Sequence, residues 1–141
     1  MAGRFPFQKL AKYPHMKPED VAVWERFLNM MPAFFDSVDY DVAVGKGAPQ
    51  NPEHPESIQA DGKILTQKKI DVVGYAGDRT YIVEVGPIAD MRKLGQILTY
   101  TRLFKADQPD VSNVIPMVLC GTIERELEDD FAEHGILVEF A

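Results

Sequence analysis

The fold is decided by residues 69–85, whose sequence is KIDVVGYAGDRTYIVEV. Apolar and polar side chains alternate on both sides of Ala76-Gly77-Asp78, as expected for two half-buried strands. Glycine in the connection supplies the backbone conformation that a tight turn needs. The segment therefore predicts an antiparallel hairpin with its turn at residues 76–78.

Helical patterns flank this hairpin on both sides. A helix is expected from about Pro18 to Met31, because a proline and two acidic residues suit its first turn and apolar residues then recur at helical spacing. Asp90 is placed to cap a second helix that runs to about Lys105. The apolar run 114–120 predicts an interior strand parallel to the second arm of the hairpin.

The remaining segments complete an α/β domain. Residues 40–44 alternate and predict a strand, whereas 45–62 are rich in proline and glycine and predict a long, mobile loop. Thr122 is expected to cap a helix through about His134, and residues 136–140 a last strand. The order α-β-β-β-α-β-α-β indicates a mixed central sheet flanked by helices.

Length and composition favour one soluble domain. The 141 residues suffice for one sizeable core, so we divide the chain into an N-terminal arm, 1–17, and a single domain, 18–141. The single cysteine, Cys120, lies in an apolar run and predicts a buried thiol in a reducing compartment, the cytoplasm of the cell or of a host. No apolar run approaches the ~18 residues of a membrane span, so no membrane partner is expected.

The net charge of -7 opposes nucleic-acid binding over the whole surface. Such a surface repels phosphate groups unless basic residues gather on one face. The charge is less of an obstacle to an enzyme, because an active site can be locally basic.

Asp71 and Glu84 are the candidate metal ligands. Each lies on one arm of the predicted hairpin, and side chains that share a face of paired strands lie within reach of one ion. Two carboxylates suit a hard cation such as Mg²⁺, which prefers oxygen ligands and keeps several waters. Such an ion activates water and stabilises the charge that develops during phosphodiester hydrolysis.

The arrangement resembles the PD-(D/E)XK nuclease superfamily, with its restriction-endonuclease-like core. The resemblance covers roughly residues 18–120 and includes Asp71, the run Glu84-Val85-Gly86 and the helical segment Gly95-Gln96-Ile97-Leu98-Thr99-Tyr100. It implies metal binding by Asp71 and Glu84, a contact from Gln96, and a further carboxylate from Glu25 on the first helix.

Two residues depart from the family pattern, since Ile70 precedes Asp71 where the motif has proline and Gly86 stands where it has lysine. The motif of this superfamily has a lysine where this sequence has Gly86, and that lysine positions or activates the attacking water. Lys69 lies two residues before Asp71 on the same strand, and Lys93 lies on the helix after the motif. Either lysine is a candidate for the missing role.

Two functional hypotheses follow from the resemblance. The first is a catalytically degenerate nuclease fold that serves as an assembly or interaction module, with protein partners or as a homo-oligomer. Gly86 and the acidic charge favour this hypothesis, and analogy with phage proteins of this fold suggests a virion component. The alternative is an endonuclease that uses Mg²⁺ or Mn²⁺ to hydrolyse DNA phosphodiesters.

Overall fold

The computed structural model describes residues 3–141 and contains one six-stranded sheet with helices on both faces. The strands are β1 (Phe5–Pro6), β2 (Ser37–Val44), β3 (Lys68–Ala76), β4 (Arg79–Ala89), β5 (Val114–Ile123) and β6 (Leu137–Phe140). The helices are α1 (Pro18–Met30), α2 (Glu56–Thr66), α3 (Met91–Asp107) and α4 (Glu128–Glu133), with a 3-10 turn at Arg125–Leu127. Among the described residues, no helix combines the length and apolar character needed to cross a membrane.

The strands lie in the sheet in chain order, β1-β2-β3-β4-β5-β6. The pairings from β1 to β4 are antiparallel, and those of β5 with β4 and β6 are parallel. The β3–β4 pairing runs to Ala76 opposite Arg79, so the hairpin turn consists of Gly77, with φ +61°, and Asp78. The predicted hairpin, the interior strand β5 and the mixed sheet are confirmed.

Two hydrophobic cores lie on opposite faces of this sheet. Side chains of β4 point alternately into one core or the other, since Val83 and Val85 belong to the core beneath α1 whereas Ile82 belongs to the core beneath α3. The α1 core contains the fully buried rings of Trp24 and Phe27. The buried side chains that α3, α4 and β5 give to the other core are Ile97, Phe104, Val118, Cys120 and Phe131.

The N-terminal arm packs on the domain. Phe5 of β1 pairs with Val38 of β2, and the side chains of Phe7 and Tyr13 are buried in the α1 core. Phe7 also contacts Trp24 edge to face, with ring centroids 5.5 Å apart. Part of the arm therefore belongs to the same core as α1.

The predicted loop 45–62 was wrong in its second half, where α2 begins at Glu56. None of the side chains of α2 is buried. Three prolines precede the helix and Gly62 lies inside it, and both residue types favour a loop in a prediction from sequence.

Two other boundaries also differ from the prediction. The second arm of the predicted hairpin ended at Val85, but β4 continues through Gly86 and Pro87 to Ala89. Pro87 is tolerated because β3 no longer pairs with β4 beyond Val83, so a ladder hydrogen bond on that side is not required. Thr122 does not cap a helix, because β5 continues to Ile123 and α4 begins only at Glu128.

Candidate active site

Asp71 and Glu84 face each other where β3 and β4 separate. The ladder between these strands ends at Val72 opposite Val83, one residue before the two acids. The backbone N–H of Asp71 donates to Glu84 Oε2 at 2.9 Å, and the N–H of Val85 donates to Asp71 Oδ2 at 2.9 Å. The carboxylates thus replace the next rung of the ladder and are held by backbone groups of the opposite strand.

The two acids lie in an environment that disfavours their charged forms. Glu84 is 2% exposed, and burial together with the charge of Asp71 raises its pKa to about 8. Burial also raises the pKa of Asp71, although the N–H of Val85 and the charge of Lys93 oppose that shift. A cation between these carboxylates would relieve both desolvation and repulsion.

Lys93 occupies the space next to Gly86. A Cβ atom at residue 86 would lie 2.6 Å from Lys93 Cε and 3.4 Å from its Nζ. The Nζ atom lies 4.0 Å from Asp71 Oδ2, and the Lys93 side chain is 18% exposed. The ammonium group therefore enters the site from α3, where a side chain from β4 would otherwise project.

Asp71, Glu84, Lys69, Lys93 and Gln96 line one cavity of about 370 Å³. Within it, Lys69 Nζ donates to the carbonyl of Ile64 at 3.1 Å, so this amine is bound to the C-terminal end of α2. Gln96 Oε1 is buried without a hydrogen-bond partner in the described part of the chain. A buried acceptor of this kind suits a donor that enters the cavity, such as a water molecule.

Glu25, the predicted additional acid, does not line this cavity. Its carboxylate accepts a hydrogen bond from the hydroxyl of Tyr13 at 3.2 Å and lies 3.9 Å from Lys9 Nζ. Asp20, on the same helix, lines the cavity instead, and burial raises its pKa. Five residues rotate the helix surface by roughly 140°, so the two acids point in different directions. The sequence had assigned Asp20 only to the helix N-terminus.

His15 and Asp41 form a pair that the sequence pattern did not reveal. Both have left-handed backbone conformations, with φ of 57° and 53°, and His15 Nε2 lies 3.2 Å from Asp41 Oδ2. His15 lines the cavity, and Asp41 lies opposite Asp71, between the pairs Tyr40–Val72 and Val42–Ile70. Strained backbone of this kind clusters at functional sites.

The fold of this chain is similar to that of a known nuclease. The crystal structure of a repair endonuclease from Pyrococcus abyssi matches with a TM-score of 0.51 and 12% sequence identity. The chain has a nuclease-like fold. The match covers 93% of this chain but 49% of the endonuclease, so this chain spans about half the length of that protein. The sequence matches no protein-family model and no curated protein.

The nuclease-like fold raises the question of whether the site suits a metal ion. Asp71 and Glu84 each use one oxygen for a backbone N–H, which leaves a second oxygen on each as a ligand. Among residues 3–141, no group of three or more His, Cys, Asp or Glu side chains converges on one point. The donor set fits Mg²⁺ or Mn²⁺, because Mg²⁺ is commonly bound by one or two carboxylates and retains several waters.

Proposed function

We propose that this chain is a metal-dependent endonuclease of the PD-(D/E)XK type that hydrolyses DNA phosphodiesters, with Lys93 in the role of the motif lysine. The observation that carries the proposal is the placement of Lys93 Cε against Gly86, with Nζ 4.0 Å from Asp71. The glycine that favoured a degenerate fold thereby leaves room for a lysine from α3. The similarity to a repair endonuclease supports the same reaction class.

Each residue of the cavity has a role in this proposal. Asp71 and Glu84 hold Mg²⁺ or Mn²⁺, and the ion supplies activation of water and stabilisation of phosphoryl charge. The ammonium group of Lys93 orients the attacking water and stabilises negative charge on the phosphate. Gln96 accepts a hydrogen bond from water through its buried Oε1 atom. Lys69 is the weaker candidate for the lysine role, because its amine is bound to the carbonyl of Ile64.

Moving the lysine from residue 93 to residue 86 tests whether Lys93 has the role of the motif lysine. Lys93→Ala should lower Mn²⁺- or Mg²⁺-dependent nicking of supercoiled DNA by about 100-fold or more, the range of a positioned proton-transfer or charge-stabilising group. The double variant Lys93→Ala/Gly86→Lys returns a lysine to the family's motif position and should recover part of the activity. Lys105→Ala, which removes an exposed lysine of α3, is the matched control and should nick like the wild type.

Metal binding is tested separately from cleavage. Millimolar Mn²⁺ should raise the Tm of the wild type but not of Asp71→Ala, because a ligand stabilises only a native state that binds it. Full activity of Lys93→Ala would contradict the role of this lysine. A wild type that neither nicks DNA nor gains stability with either ion would contradict the endonuclease.

The second candidate is a non-catalytic assembly or interaction module, including a virion component. Three large apolar side chains of α2 favour it, since Ile58, Ile64 and Leu65 are 51%, 57% and 80% exposed. An interface with another protein would cover such a surface. This candidate is selected if the wild type is folded but shows neither metal-dependent nicking nor a higher Tm with Mn²⁺ or Mg²⁺.

A further inference from the structure

A basic groove lies between α2 and the loop that follows β2. Two cavities of about 320 and 490 Å³ adjoin there and share Lys46, Gly47 and Ala48. Lys68 lines the first cavity and Lys63 lines the second, and neither cavity has an acidic residue in its lining. We name the two cavities together the α2 groove. The charged residues of its lining are all lysines, in contrast to the net charge of -7 of the chain.

The walls of the α2 groove are held together by specific contacts. The backbone N–H of Ala48 donates to Thr66 Oγ1 at 2.7 Å, and Gln67 Nε2 donates to the carbonyl of Gly45 at 2.7 Å. Gly47 has φ +71°, and a Cβ there would lie 2.7 Å from both the carbonyl oxygen of Lys63 and Thr66 Oγ1. The close approach of loop to helix thus requires glycine, and it fixes Lys46 and Lys63 along one channel.

Helix α2 links the groove to the cavity that holds Asp71 and Glu84. Lys68 lines the groove and Lys69, the next residue along β3, lines that cavity. The two side chains point in opposite directions, because successive residues of a strand face opposite sides of the sheet. Lys69 also bonds to the Ile64 carbonyl of α2, so the helix that forms one wall is tied to the site.

The chemistry of the α2 groove indicates a phosphate chain as its ligand. The groove has no aromatic residue in its lining, so stacking of bases would not contribute. The nearest acids are Asp61, two residues before Lys63 on α2, and Asp107, whose Oδ2 accepts a hydrogen bond from the N–H of Gly45 at 2.8 Å, but neither carboxylate lines the groove. Exposed lysines attract phosphates as point charges without reading a sequence.

We propose that the α2 groove binds the sugar-phosphate backbone of the nucleic acid that is cleaved at the Asp71–Glu84 site. This inference rests on the proposed endonuclease function and adds to it a binding surface supplied by α2. Lys46, Lys63 and Lys68 contact phosphates, and such contacts make binding independent of sequence and strongly dependent on salt.

The test is the salt dependence of binding by the full chain in EDTA, where metal-dependent cleavage cannot occur. Fluorescence anisotropy would follow a labelled duplex and a labelled single strand of the same sequence. The double variant Lys46→Ala/Lys63→Ala should reduce the slope of log K against log salt on duplex by about 1 for each lysine. On the single strand the reduction should be somewhat smaller, because each neutralised phosphate contributes about 0.7 to the slope.

Lys12→Ala/Lys105→Ala, which removes two exposed charges elsewhere, is the matched control and should leave the slope unchanged. Nucleic-acid binding by the α2 groove would be contradicted by an unchanged slope in the groove variant, by an equal reduction in the control, or by a wild type that does not bind. If the wild type nicks DNA but the groove variant binds normally, the groove proposal is wrong and the endonuclease proposal stands. If the slopes change as expected but the wild type does not nick DNA, the groove proposal stands and the endonuclease proposal is wrong.

Discussion

At the scale of single residues, the ionisation of Glu84 is coupled to the stability of the fold. Its pKa rises from an ordinary 4.5 to about 8, first because of burial and then because of Asp71. The folded state therefore holds this proton more tightly than the unfolded state. The stabilisation is fully present below about pH 4.5 and is lost as pH rises towards 8.

We expect Glu84→Gln to remove this pH dependence. Glutamine keeps an oxygen for the Asp71 N–H but does not ionise, so the variant should be more stable than the wild type by on the order of 5 kcal/mol above pH 8. Urea unfolding from pH 5 to 9 in EDTA measures the difference. Glu133→Gln, at an exposed position, should follow the wild type. Parallel pH profiles for Glu84→Gln and wild type would rule out this coupling.

At the same scale, the sequence predicted that Asp71 and Glu84 lie together but not which other side chains line their cavity. Asp71 and Glu84 could be predicted because a hairpin fixes which residues of its arms lie opposite each other. Lys93 could not be selected over Lys69, since that choice depends on the contact between α3 and Gly86. Asp20 was missed in favour of Glu25 because the rotation of α1 about its axis is set by tertiary packing.

At the scale of elements, α3 is positioned by its first residues. The side chain of Asp90 accepts a hydrogen bond from the backbone N–H of Lys93 at 2.9 Å, as the sequence predicted for an N-cap. The cap therefore fixes the first turn of the helix, which carries Lys93 into the cavity.

Asp90→Ala should lower the free energy of unfolding by about 1 kcal/mol, the usual cost of losing an N-cap acceptor. Asp90→Asn keeps an acceptor oxygen and should recover most of this loss in the same denaturant titration. Equal destabilisation by both substitutions would mean that the charge of Asp90, and not its hydrogen bond, stabilises α3.

Helices and strands could be predicted where the sequence shows both a regular spacing of apolar residues and a residue that marks an end. The hairpin has alternating apolar residues and a glycine turn, and α3 has helical spacing and the cap Asp90, and both were predicted correctly. Helix α2 was not predicted, because three prolines precede it and Gly62 lies inside it. Strand β4 passes through Pro87 because the end of the β3 pairing removes the need for that N–H, and this context is not visible locally.

At the scale of the whole molecule, charge is distributed unevenly. The net charge of -7 gave reason to doubt that phosphates approach this protein. Lysines nevertheless line both the α2 groove and the cavity of Asp71 and Glu84, although the lining of that cavity also includes Glu19, Asp20 and Asp90. A total charge therefore describes the average surface and does not exclude a local cationic site.

The chain-order arrangement of the sheet has a kinetic consequence. Each strand pairs with the next strand of the chain, and the shortest loop to close is the two-residue turn between β3 and β4. Short closures cost the least entropy, so the hairpin is the expected nucleus from which the sheet grows in both directions.

Two glycines provide a matched test of this folding order. Gly77 in the hairpin turn and Gly135 after α4 have φ of +61° and +66°, and a Cβ at either would meet no atom within 4 Å. Alanine at either position should therefore cost the same backbone strain, about 1–2 kcal/mol. In stopped-flow denaturant series, Gly77→Ala should mainly slow folding, whereas Gly135→Ala should mainly accelerate unfolding. If both variants changed the two rates alike, nucleation would not be localised at the turn.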